Sequence, residues 1–231
     1  MSMSEIFTKA VLVTIAVAAF AIAATAQSTS GTVTLSGTVS KYVEIASNGA
    51  VTLTGNSGGG VTTDGILGNT LAVVVNMGEL SPSNANSFVK VTVPLRVRSN
   101  AAYVVSAAAA VAGTGVTANK VVASDIGFGI ANITRAGVGV AAGADTNSTT
   151  GDPTLGGAVN GVTGRWDFGA GNTNLGAFAV AATALNGPQI MNAVPRSNAN
   201  GLTANAIFAV KPQFYENGTV TATTTFTVTA P

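Results

Sequence analysis

A strict two-residue alternation of apolar and polar side chains is the feature of this chain that most constrains its fold. The alternation is clearest in Gly218–Ala230, where threonines occupy one face and mostly apolar residues the other, with Thr224 alone breaking the apolar row. The apolar residues are Val220, Ala222, Phe226 and Val228. Because successive side chains of a strand point to opposite faces, and β-branched residues favour strands, this segment predicts a half-buried antiparallel strand.

The same pattern occurs in Phe88–Arg98, where Val89, Val91, Val93, Leu95 and Val97 share one face. Pro94 lies in the middle of this segment and has no N–H to donate, which predicts a free edge or a bulge there. Thr32–Val39 also alternates, and Val43 and Ile45 continue its phase. We therefore expect a first strand over Thr32–Ile45.

Shorter runs predict further strands with glycine- and asparagine-rich turns between them. These runs are Val51–Thr54, Leu71–Val75, Ala102–Ala108, Ile126–Ile133, Arg165–Phe168, Phe178–Ala184 and Ala206–Val210. Asn217-Gly218 lies between two strand-like runs and predicts a hairpin. The sum predicts an all-β protein, an antiparallel two-sheet sandwich of immunoglobulin-like type, as a single domain over residues 27–231. A closed barrel is the alternative.

Composition removes several classes of chemistry. The chain has no cysteine and no histidine, so disulfides, thiolate zinc sites and the commonest general base are absent. Charged residues make up 8% of the chain and its net charge is +1, which argues against binding nucleic acid. We therefore predict a protein that is not an enzyme and has no cofactor.

Residues 1–26 have the layout of a secretory signal peptide. Lys9 precedes the apolar run Ala10–Ala24, and Ala24-Thr25-Ala26 supplies small residues for cleavage before Gln27. The run is shorter than the roughly 20 residues that a membrane-spanning helix needs. We therefore expect a secreted protein, in the periplasm, at the cell surface or in the medium, with no membrane span after cleavage.

Gly137–Gly164 is rich in small and polar residues and predicts a long surface loop. Within it, Asp145, Asn147 and Asp152 carry the oxygen ligands that Ca²⁺ prefers. Their spacing does not match an EF-hand, so a plain polar turn is the favoured interpretation. A catalytic pair of carboxylates, the one acid–base route left, would require two acids to meet in a cleft.

Trp166 and Asp167 are the candidates for binding a glycan, because an aromatic ring can stack on a sugar while a carboxylate accepts hydrogen bonds. The alternative is that the single tryptophan belongs to the core, which is the commoner arrangement in a sandwich.

Residues 27–40 are the candidate for an interaction in trans. Val33, Leu35, Gly37 and Val39 share one face of an uncharged stretch, and nothing in it blunts a free strand edge. Such an arm can complete another subunit's sheet through main-chain hydrogen bonds. The alternative is that this segment is the first strand of its own sheet.

The chain resembles secreted pilin-like subunits that assemble by donor-strand complementation. The resemblance rests on the signal peptide, the alternating arm with Gly37, the segment Val91–Ser106 and the closing strand Gly218–Ala230. It implies a filament subunit whose partner is another copy. The disulfide of many such subunits is absent, and Thr229-Ala230 replaces their penultimate tyrosine, which puts a chaperone-assisted route in doubt.

These observations favour a non-catalytic extracellular structural or adhesive protein, a filament or matrix subunit joined by strand addition. Its partners would be copies of itself or other surface proteins. The first alternative is a secreted carbohydrate-binding module that uses Trp166 and Asp167, and the second is a secreted hydrolase that works through carboxylates.

Overall fold

The computed structural model describes residues 34–38, 40, 42–55, 58–65, 71–82, 87–113, 119–135, 146–147, 151–168, 173–179, 189–193 and 201–230. The predicted signal peptide, Val33, Val39 and Asp145 lie outside these residues. The chain divides into two compact units, Met1–Val39 and Ser40–Pro231. The second unit contains all the strands described below.

The described residues are mostly strand, with three short 3-10 turns, which confirms the all-β prediction. The turns are Ala123–Asp125, Pro153–Leu155 and Leu175–Phe178. The strands are β1 (Val43–Ser47), β2 (Thr52–Thr54), β3 (Gly60–Thr63), β4 (Val74–Asn76), β5 (Val89–Ser99), β6 (Tyr103–Gly113), β7 (Ile126–Arg135), β8 (Thr146–Asn147), β9 (Ala158–Val159), β10 (Trp166–Asp167), β11 (Gln189–Ala193), β12 (Leu202–Val210) and β13 (Val220–Thr229).

The first large sheet has the order β1-β5-β12-β7, and β2 lies beside β1 along the same edge of β5. All of its pairings are antiparallel. Every second residue of β5 is buried over its whole length, as the alternation in the sequence predicts.

Pro94 marks the point where β1 ends and β2 begins. β1 pairs with β5 as far as Leu95, and β2 resumes the pairing at Thr92. The Pro94 carbonyl accepts a hydrogen bond from the Asn48 N–H at 2.9 Å, so the ring nitrogen faces the same side. The missing N–H therefore lies where the neighbouring chain leaves the ladder, which is the interruption that Pro94 predicts.

The second large sheet has the order β13-β6-β11-β8 and is also antiparallel. β12 and β13 lie in different sheets, so the hairpin predicted at Asn217-Gly218 is wrong. Residues 211–219 instead carry the chain from one sheet to the other.

The two large sheets contribute to one hydrophobic cluster. Phe128 of β7 is fully buried and contacts three other aromatic rings, with centroid distances of 5.0 Å to Phe178, 5.1 Å to Phe208 and 6.1 Å to Phe226. Phe226 belongs to β13, so these contacts tie the second sheet to the first.

The segment 151–168 packs against the first sheet. The glycines of β7 permit this approach, because a Cβ at Gly127 would collide with the Phe168 ring and one at Gly129 with the Gly151 carbonyl. β9 and β10 form a two-stranded sheet within the segment, and Pro153 is buried. In its described part the predicted surface loop is mostly exposed, as expected, and Pro153 is the residue of it that is buried against the sheet.

Two predicted strands are wrong in part. Residues 34–38 form no strand, and the first strand begins at Val43, which pairs with Ser99 at the end of β5. In the predicted strand Phe178–Ala184, the described residues Phe178 and Ala179 end a 3-10 turn that the Asn174 side chain caps by accepting the Gly176 N–H.

Helical segments in the described residues are all too short or too polar to cross a bilayer.

Candidate functional site

An apolar groove of about 720 Å³ opens between the two large sheets. Its lining from the first sheet includes the core residues Val91 and Val93 of β5 together with Phe208 of β12. On the opposite side it is lined by four residues of β13, which are Ala222, Thr224, Thr225 and Phe226. The space between the two sheets is therefore not filled by side chains at this position.

The extended segment 71–77 forms a further wall of the groove. Its alternate residues Leu71, Val73, Val75 and Met77 are partly buried and pack against the core cluster. Val74, which also lines the groove, is 56% exposed. β4 pairs with β3 in a separate sheet, so among the described strands this wall shares no ladder with either large sheet.

The edges that border the groove belong to β1 and β13. In the described part of the chain, β1 pairs only with β5, and β13 pairs only with β6. Each of these strands therefore keeps one edge without a strand partner. Tyr42, Val43, Glu44 and Ile45 bring the β1 edge to the rim of the groove.

The described part of the predicted arm, residues 34–38, is exposed throughout. Leu35 is 91% exposed, and a Cβ at Gly37 would meet no atom within 4 Å. The predicted apolar face of the arm is therefore exposed at Leu35.

Asn100 fastens the chain just before β1. Its Oδ1 accepts the Tyr42 N–H at 2.8 Å, and its Nδ2 donates to the Ser40 carbonyl at 2.7 Å. Its own N–H donates to the Tyr42 carbonyl at 3.3 Å. One residue at the end of β5 therefore holds two alternate residues of the chain that enters β1.

Glu44 is buried on the face of β1 that it shares with two arginines of β5. It forms ion pairs with Arg98 and, at 3.2 Å, with Arg96, and it accepts the Tyr42 hydroxyl at 2.5 Å. Burial raises the pKa of the Glu44 carboxyl, but the Tyr42 and Arg98 hydrogen bonds outweigh burial and hold it below its ordinary value. The hydrogen bond to Glu44 raises the pKa of Tyr42 in turn.

Of the two glycan candidates, Trp166 is half-buried and Asp167 is exposed. The Trp166 ring packs edge-on against Phe88 with centroids 5.4 Å apart, and the main-chain N–H of Trp166 donates to Gln213 Oε1 at 2.6 Å. The ring thus helps to hold the layer of residues 151–168 in place. Glycan binding at these residues stays a prediction.

Of the calcium candidates, Asp145 lies outside the described residues, and for Asn147 only the main chain is described. Asp152 has both oxygens engaged: Oδ2 accepts from Lys90 Nζ at 2.8 Å, and Oδ1 accepts from the Thr154 N–H and hydroxyl. In the described residues no group of three acidic side chains could hold a metal ion.

A cluster of Asp125, Arg165 and Tyr215 joins three loops. Asp125 and Arg165 form an ion pair, and the Arg165 guanidinium lies 5.0 Å from the centre of the Tyr215 ring. Burial raises the pKa of the Asp125 carboxyl despite the Val122 N–H and the Arg165 charge, and burial raises the pKa of Tyr215 to about 12. The cluster fastens the layer of residues 151–168 to the connection between β12 and β13.

Comparison with known proteins matches this chain to no family model, no characterised protein and no solved structure.

Sequence reasoning singled out the arm but missed the groove and Asn100. The alternation of Leu71–Val75 gave the signal for one wall, but the open space between two strand edges depends on long-range topology. In the sequence, Asn100 is a polar residue between two predicted strands. No sequence pattern near it indicates that its side-chain amide reaches Ser40, which is 60 residues away.

Proposed function

We propose that this chain is a non-catalytic extracellular structural subunit that joins to copies of itself by strand addition. In this proposal the mature chain is an immunoglobulin-like sandwich, and its residues 27–40 add to the groove of the next subunit. The observation that carries the proposal is the apolar groove of about 720 Å³ bordered by β1 and β13, whose outer edges pair with no strand in the described part of the chain.

The chemistry of the groove fits an extended, uncharged chain better than a polar ligand. Its floor and walls are largely valine, isoleucine, leucine, methionine and phenylalanine, and no described strand pairs with the outer edges of β1 and β13. Strand addition uses both features, because main-chain hydrogen bonds supply affinity and alternate side chains fill the space between the sheets.

The arm has matching properties. Leu35 is exposed, and it shares a predicted face with Val33, Gly37 and Val39. Burial of such side chains in a partner contributes about 25 cal/mol per Å² of apolar area removed from water. Because arm and groove are different surfaces, the contact is head-to-tail, and repeated contacts of this kind give an open filament unless they close into a ring.

The first test removes the apolar arm face. In the mature protein, Leu35→Asp places a charge on that face, and Ser36→Asp places the same charge on the opposite face as a control. We expect the mature protein and the control to form filaments by electron microscopy and to sediment as polymers, while Leu35→Asp stays monomeric. Equal polymerisation of both variants would contradict a role for the arm.

The second test blocks the groove. Ala222→Lys puts a charge on the groove side of β13, and Thr223→Lys puts it on the other face; both positions are exposed. We expect only Ala222→Lys to prevent assembly, with unfolding free energies of both variants within about 0.5 kcal/mol of the parent.

Mixing the two defective proteins tests the head-to-tail geometry directly. The Leu35→Asp subunit keeps a working groove, and the Ala222→Lys subunit keeps a working arm. Together they should form a one-to-one dimer that sedimentation resolves, although each alone is a monomer. A parent protein that stays monomeric over the whole accessible concentration range would end the proposal.

A further inference from the structure

We infer that Asn100 is a positioning residue that holds the root of the arm, Ser40 and Tyr42, in an extended conformation. The arm then reaches the groove of another copy instead of folding back into its own groove. This inference rests on the proposed function.

The hydrogen bonds define the geometry of the root. The Ser40 and Tyr42 carbonyls both accept hydrogen bonds from Asn100, one from its side-chain amide and one from its main chain. Alternate carbonyls of an extended chain point to the same side, so Ser40 and Tyr42 continue the direction of β1 on the side that faces Asn100. The Tyr42 N–H, which donates to Asn100 Oδ1, points to that side as well.

Because the arm begins beside the groove, binding of the arm to its own groove competes with its binding to the groove of another subunit. Tyr42, Val43, Glu44 and Ile45 form the rim of the groove, so the arm joins the subunit beside its own binding site. A tight turn just before β1 would return the arm along the free β1 edge as a hairpin. Segments tethered so closely see each other at an effective concentration of about millimolar, which subunits in dilute solution do not reach.

A turn that reverses the chain at Ser40 itself takes the Ser40 carbonyl away from Asn100. The bond from Asn100 Nδ2 to Ser40 therefore opposes this tight turn and is compatible with the extended arm. The adjacent bend between β5 and β6 does not depend on this amide, because Ser99 closes it by donating to the Ala101 carbonyl at 2.7 Å and accepting the Ala101 N–H.

Three variants separate the positioning role from a structural one. Asn100→Ala removes both side-chain bonds. Asn100→Asp keeps the acceptor for Tyr42 and loses the donor to Ser40. Ser99→Ala loosens the adjacent bend and leaves the amide in place, and it serves as the control.

Hydrogen–deuterium exchange of the full mature chain, diluted until it is monomeric, reports the arm in each variant. We expect fast exchange around Leu35 in the parent and in Ser99→Ala, and exchange at least about tenfold slower in Asn100→Ala, as for amides that gain strand partners. Asn100→Asp should resemble Asn100→Ala more than the parent. Circular dichroism checks that each variant is folded, and Asn100→Asp carries the test if Asn100→Ala is not.

Polymerisation provides the second readout. The concentration at which polymers first appear should rise about tenfold or more in Asn100→Ala, because a self-bound arm and groove are both withdrawn from assembly. Fast arm exchange together with unchanged polymerisation in Asn100→Ala would overturn the inference. If the parent itself never polymerises, the proposed function fails, while the exchange measurement still decides whether Asn100 keeps the arm from folding back.

Discussion

The two ends of the first large sheet differ in the partners of their main-chain groups. At the β7 end, the Phe128 N–H donates to the Thr173 carbonyl at 3.0 Å, and the Ile130 carbonyl accepts the Gly151 N–H at 2.9 Å. A bridge between Gly127 and Asn174 covers the same edge. At the β1 end, no described strand pairs with the outer edge, and the groove opens beside it.

The comparison shows that one edge of the sheet, at β7, is covered by loops of the same chain. Natural sheets protect their edges because an unpaired edge invites association with another chain. The β7 edge is protected by loops that approach over two glycines, whereas no strand of the described residues pairs with the outer edge of β1 or of β13. The proposed strand addition would use an edge of this kind.

The largest expected effect compares two aromatic residues that touch each other. Phe128 is fully buried on the covered side, and Phe226 is half-buried at the wall of the groove. We expect Phe128→Ala to lower the free energy of unfolding by about 3–5 kcal/mol. Phe226→Ala should cost roughly half as much or less, because its ring is only partly removed from water. Urea denaturation of the monomeric protein measures both, and equal losses would show that the groove side is packed as tightly as the other.

A smaller effect is expected when the covering loop is pushed off β7. Gly129→Ala introduces a Cβ that collides with the Gly151 carbonyl and crowds Pro153, so we expect a loss of about 1–3 kcal/mol. Gly161→Ala is the control, since a Cβ there meets nothing within 4 Å. Hydrogen exchange at Phe128 should accelerate in the first variant only. Unchanged protection in Gly129→Ala would mean that the loop does not cover this edge in solution.

The smallest effect concerns the ion pair that fastens the same loop to β5. Burial raises the pKa of Asp152, but hydrogen bonds from Lys90 and Thr154 outweigh burial and lower it. A carboxyl whose pKa falls on folding stabilises the protein above its unfolded pKa, and the stabilisation is lost as the pH falls through the folded value. Asp152→Asn should therefore cost about 1 kcal/mol at pH 7.

Urea denaturation at several pH values checks the sign of this effect. The difference between the parent and Asp152→Asn should shrink as the pH drops below 3.8, the ordinary pKa of the group. A difference that grows on acidification would contradict the assigned role of the ion pair.

Much of the fold follows from local patterns, and the places where prediction failed have a common cause. β5 and β13 appear where alternation predicts them, because burial of one face imposes a period of two on the sequence. Pro94 likewise marks an interruption in the ladder. Which strands become neighbours is not a local property, and Asn217-Gly218 therefore looked like a hairpin although β12 and β13 lie in different sheets.

The candidate site was predictable to a lesser degree for the same reason. The apolar arm is a contiguous stretch, so its pattern is visible in the sequence. The groove combines residues of β1, β4, β5, β12 and β13, and only the assembled sheets bring them together. The Glu44 cluster also depends on register, since Glu44 meets Arg98 only because β1 and β5 pair as they do.

The cluster around Glu44 has a mechanical consequence. In a filament of the proposed kind, tension along the polymer enters each subunit through Ser40 and passes into β1, which is only five residues long. Hydrogen bonds perpendicular to the strands share a pull along β1, so the ladder is loaded in shear. Two arginines of β5 form charge-assisted hydrogen bonds to Glu44 on that short strand, and these bonds add to the resistance of the ladder against shear.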